Sequence, residues 1–133
     1  MDDKDKAIIE KLEKNARTPF LQIAKEMDVS EGTIRKRVVN LVKNKTIKKF
    51  TIETSYETRA IVEVITGSQI PTQKVVNEIK KLGIEKIFEV AGRFTLLCII
   101  KANNLNQVND IVESIRQING VIQTETLPVL RED

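Results

Sequence analysis

The chain has 133 residues, 41% of them apolar and 31% charged, with a formal net charge of +3; this describes one globular domain or two small ones and excludes a disordered chain. No apolar run reaches the roughly 18 residues of a membrane span, and the charged opening MDDKDKAIIEKLEK is not a signal peptide, so a cytoplasmic protein without membrane contact is expected. Histidine is absent, the single Cys98 lies in the apolar run FTLLCII, and no glycine-rich phosphate loop is present, so catalysis, a metal site and a bound cofactor are not expected.

Asp2 is placed to cap a first helix, with Asp5 in its first turn. Ile8, Ile9 and Leu12 give that helix its apolar face, and it should end near Asn15. Thr18-Pro19 reads as a cap followed by proline at the first helical position. Leu21, Ile23, Ala24 and Met27 are the expected buried side of this second helix, and Asp28-Val29 the turn after it. Ser30 caps a third helix, in which Ile34, Val38 and Leu41 repeat at i, i+4 and i+7.

Three short helices with a tight turn before the last form a helix-turn-helix pattern. In such a unit the last helix enters the major groove of double-stranded DNA and its first residues reach base edges. With Ile34, Val38 and Leu41 turned inward, Glu31, Gly32, Thr33, Arg35 and Lys36 face solvent. Gly32 and Thr33 are small enough for close backbone approach. Arg37 flanks the apolar stripe, within reach of a phosphate or of an acid on the first helix. The following KTIKKFTIET alternates like a strand, and Lys45, Lys48 and Lys49 would lie along a DNA backbone as a wing. Between Ser30 and Lys49 there are 7 Lys/Arg and one acid, Glu31, whereas residues 54–133 hold 9 Lys/Arg and 10 Asp/Glu. A polyanion partner is therefore expected for the first part alone. Ser30, Glu31, Gly32, Thr33, Arg35, Lys36, Arg37, Lys43, Lys45, Lys48 and Lys49 are the candidate DNA contacts.

The polar ETSYETR, residues 53–59, reads as a linker between a domain at 1–52 and another at 60–133. RAIVEVIT is a strand. PTQKVVNEIKKLG is a helix with Val75, Val76, Ile79 and Leu82 inside and Gly83 as its stop. EKIFEVA and FTLLCIIKA are strands around a turn at Gly92-Arg93. A helix capped by Asn104 follows, with Leu105, Val108, Ile111, Val112, Ile115 and Ile118 inside and Gly120 as its stop. VIQTETLPVL closes the chain as a strand that Pro128 ends or places at an edge. The order βαββαβ is the ferredoxin-like split βαβ, so the fold class is α+β, a winged helix-turn-helix followed by a ferredoxin-like domain. Both helices of the second domain should cover one sheet face. The third strand is apolar on both sides, Leu96, Cys98 and Ile100 against Leu97 and Ile99. A monomer rarely exposes such a face, so a second copy is expected to cover it.

A helix-turn-helix followed by βαββαβ resembles the Lrp/AsnC (feast/famine) family of transcription regulators, in its archaeal type. The resemblance is carried by NARTPF, Ile23-Ala24, and Ser30 with Arg37 and Leu41, and in the closing strand by Gly120-Val121, Thr124, Thr126 and Leu130. It implies a sequence-specific regulator that binds pseudo-palindromic promoter DNA as a dimer, tetramer or octamer. It also implies an amino-acid effector, placed here at Gly92, Arg93, Phe94, Thr95, Thr124, Glu125 and Thr126. Two positions depart from the family pattern. Thr95 replaces an aspartate that would hold the ligand's ammonium, which weakens that contact; Arg93 and Glu125 are the alternative partners for the ligand's carboxylate and amino groups. Lys45 replaces a glycine after the third helix, with Asn44 expected to take the left-handed turn. The rival readings are a nonspecific architectural DNA binder and a small-molecule-binding oligomer without DNA affinity.

Overall fold

A computed structural model of the chain describes residues 1–84 and 86–133. These fall into two compact units, Met1–Glu53 and Thr54–Asp133.

The first unit is three helices, α1 (Asp3–Lys14), α2 (Phe20–Met27) and α3 (Glu31–Lys43). A capping box starts α1: the Asp5 amide donates to Asp2 Oδ1 at 2.8 Å, and the Asp5 carboxylate accepts from the Asp2 amide. Pro19, not Thr18, is the residue before α2, and it offers no side-chain cap. Thr18 Oγ1 instead donates back to the Asn15 carbonyl at 2.7 Å, which closes the α1–α2 connection. The stripe of α2 begins one residue earlier than expected: Phe20, Ile23, Ala24 and Met27 pack inward, and Leu21 is 50% exposed. Spacing accounts for this, because 20, 23, 24 and 27 follow the 3.6-residue period and position 21 lies about 100° away. The core joins Ile8, Leu12, Ile23, Ala24, Ile34 and Val38, with Ile47 of the following segment packed on it. Burying each large aliphatic there contributes on the order of 1.5–3 kcal/mol.

Two expectations after α3 are corrected. Lys45 itself takes the left-handed conformation, at φ 63°. Asn44 stays near-helical at φ −86°, and its Oδ1 accepts from the Thr46 amide at 3.0 Å. Asn44 has a local use for its side chain, so the turn falls on the residue after it. KTIKKFTIET is no strand in this chain: residues 44–57 are turn, bend and irregular backbone. Alternation alone does not make a strand; the backbone needs a neighbour to pair with.

The second unit contains β1 (Thr58–Thr66), α4 (Thr72–Lys81), β2 (Lys86–Glu89), β3 (Leu96–Ala102), α5 (Leu105–Arg116) and β4 (Val121–Pro128). The expected second strand began at Glu85, which lies outside the described residues. The sheet order is β2-β3-β1-β4, antiparallel throughout, as βαββαβ predicts. β1 begins inside the stretch read as linker, and Arg59 donates to the Thr54 carbonyl and to Glu132. Ala60, Val62, Val64, Leu96, Cys98 and Ile100 form the helix-covered face, packed against Val75, Val76 and Ile79 of α4 and Val108, Val112 and Ile115 of α5. Leu82 and Leu105 are outside this core, at 37% and 58% exposure. Leu82 has left the helix as its C-cap. Leu105 is the first residue of α5, and a helical side chain leans toward the N-terminus, so it overhangs the helix end.

The opposite sheet face has no cover from the described residues of this unit. Across it the register aligns Lys86, Ile99, Ile61 and Leu127 in one row, and Phe88, Leu97, Glu63 and Glu125 in the next.

Candidate nucleic-acid interface and ligand cleft

The start of α3 is built by Ser30. Its Oγ accepts from the Thr33 amide at 3.1 Å and shares a 2.8 Å hydrogen bond with Thr33 Oγ1. The helix thus starts on a side-chain cap, with the positive end of its dipole at Ser30. Gly32 is exposed, and a Cβ there would meet only Ser30 Oγ, at 3.9 Å. Open space at Gly32 leaves a neighbouring surface free to come close to the backbone.

The three cations of the RKR run differ sharply. Arg35 donates to Glu31 one turn earlier, and its guanidinium lies over the Phe20 ring, 5.3 Å from the centroid. Lys36 is exposed and makes no ion pair among the described residues. Arg37 turns the other way: Nη1 donates to Asp2 Oδ1 and Oδ2 at 3.0 and 2.8 Å, and to Asp5 Oδ1 at 3.0 Å. Of the two partners open to it, Arg37 takes the acid on the first helix. The Asp5 amide, then the Arg37 guanidinium, hold the Asp2 carboxyl down at about 2, and the same bonds push the Arg37 guanidinium further up. Lys43, the last residue of α3, is exposed, as are Lys45, Lys48 and Lys49 beyond the helix.

The second unit carries a cleft of about 140 Å³, lined by Glu63 and Ile65 of β1, Arg93 and Phe94 of the β2–β3 turn, and Gln123, Thr124 and Glu125 of β4. It gathers Arg93, Phe94, Thr124 and Glu125 from the expected set. Gly92, Thr95 and Thr126 do not line it. Thr95 is committed to the sheet: its amide donates to the Val64 carbonyl at 2.8 Å, and its Oγ1 accepts from the Thr66 amide. Thr126 pairs with Val62, on the helix-covered face. Thr124 Oγ1 accepts from Arg116 Nε at 2.9 Å.

Glu63, Ile65 and Gln123 escaped the sequence reading. The signal for Glu63 was an acid between Val62 and Val64, which places it on the face opposite theirs. It stands directly across from Glu125 in the β1–β4 register. Two like charges so placed destabilise the sheet unless a cation sits with them, and neither makes an ion pair among the described residues.

Among the described residues there is no group of acids, cysteines or histidines that could hold a metal, and no helix long and apolar enough to cross a membrane. Cys98 is fully buried, and burial pushes its thiol up to about 11, so it packs as a small apolar residue.

A basic helix-turn-helix joined to a ferredoxin-like unit with a small polar cleft defines a DNA-binding regulator with a ligand-sensing domain. Residues 1–42 match the AsnC-type helix-turn-helix domain and residues 59–132 the Lrp/AsnC ligand binding domain. The HTH-type transcriptional regulator LysM of Sulfurisphaera tokodaii is 42% identical, over 98% of this chain and 96% of that one. LysM of Saccharolobus solfataricus is also 42% identical, over 98% and 94%. Among solved structures, AsnC of E. coli superposes with a TM-score of 0.77 at 24% identity, over 99% of this chain and 93% of that one. A feast or famine regulatory protein of M. tuberculosis, complexed with L-methionine, gives 0.84 at 17% identity, over 98% and 92%; these two likenesses concern the fold. The chain belongs to the Lrp/AsnC family of transcriptional regulators, which are DNA-binding, effector-responsive proteins and not enzymes.

Proposed function

We propose that the chain is a sequence-specific regulator that binds pseudo-palindromic promoter DNA as a dimer or higher oligomer and responds to an amino acid. The observation that carries this is the outward edge of α3. Behind a capped, open helix start it presents Glu31, Arg35 and Lys36, and Arg37 is spent on holding α1. Arg35, Lys36, Thr33 and Glu31 then face base edges, and Lys43, Lys45, Lys48 and Lys49 grip phosphates, which positions without reading sequence. Arg37 supports the domain from within.

Oligomerisation is supported by the uncovered sheet face. Ile99, Ile61 and Leu127 lie in register across three strands, beside Phe88 and Leu97. A second copy laid on this row buries it, and two helix-turn-helix units then read half-sites about 34–36 Å apart.

The effector reading rests on the charges of the cleft. Arg93 suits a carboxylate, and Glu63 and Glu125 suit cations. An amino acid satisfies Arg93 and one glutamate; a cationic side chain satisfies the other. Lysine and arginine therefore fit the lining better than glutamine. The L-methionine held by the M. tuberculosis relative supports an amino acid as the ligand class.

The test is selection of bound sequences from a randomised DNA pool, with and without amino acids. A two-fold-related consensus that shifts with lysine or arginine supports the proposal. No enrichment, with binding that falls steeply with salt, favours an architectural role. Ligand binding without DNA affinity at low salt favours a sensor that has lost its DNA function.

A further inference from the structure

Arg35 is held from two helices at once. Phe20, the first residue of α2, lies under its guanidinium, and Glu31, one turn back on α3, accepts a hydrogen bond from Nη2. The Phe20 ring is itself packed on the core of the first unit, so it is a fixed platform. The Arg35 side chain nonetheless remains 61% exposed. An exposed arginine ordinarily moves through many rotamers, and ordering it is part of the cost of binding. Here that ordering precedes any partner.

The company of Glu31 indicates what Arg35 is for. An arginine that only attracts a phosphate loses strength beside a carboxylate, because the two charges offset each other. An arginine that must present its planar fork at one angle gains from it. Lys36, the next residue, has neither contact.

We infer that Phe20 is a specificity-determining positioning residue: with Glu31 it sets Arg35 as a rigid fork for bidentate donation to the O6 and N7 edge of a guanine, without touching DNA itself. This rests on the reading that α3 enters the major groove.

The experiment compares affinity for a selected operator with affinity for random duplex DNA, at several salt concentrations, with the full chain. Phe20→Leu keeps an apolar side chain and removes the ring. It is expected to lower the operator-to-random ratio by about 2- to 5-fold, the worth of an exposed cation–π contact, with random-DNA affinity and salt slope unchanged. Phe20→Tyr keeps the ring and should keep the ratio. Arg35→Lys keeps the charge and loses the fork; it should lower the ratio at least as far, and adding Phe20→Leu to it should change nothing more. If Phe20→Leu unfolds the domain, Phe20→Met, a flexible side chain that fills the core without a ring, takes its place with the same expected fall in the ratio. An unchanged ratio in Phe20→Leu, equal losses on both DNAs, or additive effects of Phe20→Leu and Arg35→Lys overturn the inference. A wild-type protein that discriminates no sequence overturns the groove reading as well, whereas a discriminating wild type with a silent Arg35→Lys overturns the inference alone.

Discussion

Arg37 and Asp2 are 35 positions apart in the chain and 2.8 Å apart in space. The residue that starts α1 is therefore also the one that fastens α1 to α3. One carboxylate accepts the Asp5 amide and the Arg37 guanidinium together, which couples the local start of a helix to the packing of the domain.

That coupling is pH-dependent. The usual carboxyl value of 3.8 is lowered in the folded chain to about 2. A depressed carboxylate contributes stability that is fully present above the unfolded value and is lost as pH falls through the folded one. The window thus runs from near 3.8 down to about 2. Asp2→Asn keeps a capping side chain and loses the ion pair. It should melt earlier than wild type at pH 6, and the two should converge below about pH 2. Melting curves across this range decide it; a gap independent of pH means the ion pair contributes nothing.

Lys45 carries two burdens. Its left-handed backbone strains a residue with a Cβ, and its ammonium is a proposed phosphate contact. Lys45→Gly should raise stability by about 0.5–1 kcal/mol and still weaken DNA binding, with the salt slope reduced by about 1. Lys48→Ala should show the same DNA loss without the gain in stability. Both should weaken operator and random DNA alike, in contrast to Arg35→Ala, which should relax sequence preference. Denaturant titration and salt-dependent binding separate the two effects of Lys45.

In the ligand cleft, Glu63→Gln removes one of two facing carboxylates. The ligand-free protein should gain a few tenths of a kcal/mol from the lost repulsion. Lysine and arginine should bind about tenfold more weakly, as expected for loss of a charge-assisted hydrogen bond. Calorimetric titration checks the second effect; unchanged affinity for both amino acids would remove Glu63 from the site.

The apolar row on the open sheet face predicts its own disruption. Ile61→Asp places a charge between Ile99 and Leu127, where a covering second copy would have to desolvate it. Sedimentation should show a monomer, with operator affinity falling more than random affinity. A variant that still sediments as an oligomer means that some other surface assembles the protein.

Much of this architecture was legible because it repeats. The i, i+4, i+7 spacing of Ile34, Val38 and Leu41 and the caps at Asp2, Ser30 and Asn104 are local signals, and the structure has them where the sequence places them. The alternation in LLCII likewise separates the covered face from the open one. What stayed hidden depends on position in three dimensions. KTIKKFTIET has a strand's pattern and lacks a strand's neighbour. Glu63 reads as one acid in an apolar strand until the register sets it against Glu125. Phe20 falls outside the buried stripe expected for α2, and nothing in the sequence says that Arg35 of another helix lies over it.

Cys98 is the chain's single cysteine, and it sits between Val62 and Ile87 at the middle of the sheet, with no exposure. A thiol reagent in solution meets it only when the sheet and the helices packed on this face come apart. The rate of its labelling is therefore a clock for the opening of the second unit alone. The first unit, which has no thiol, leaves that clock untouched. Slower labelling on adding lysine or arginine would report occupancy of the cleft from inside the sheet, with no dye, tag or DNA in the assay.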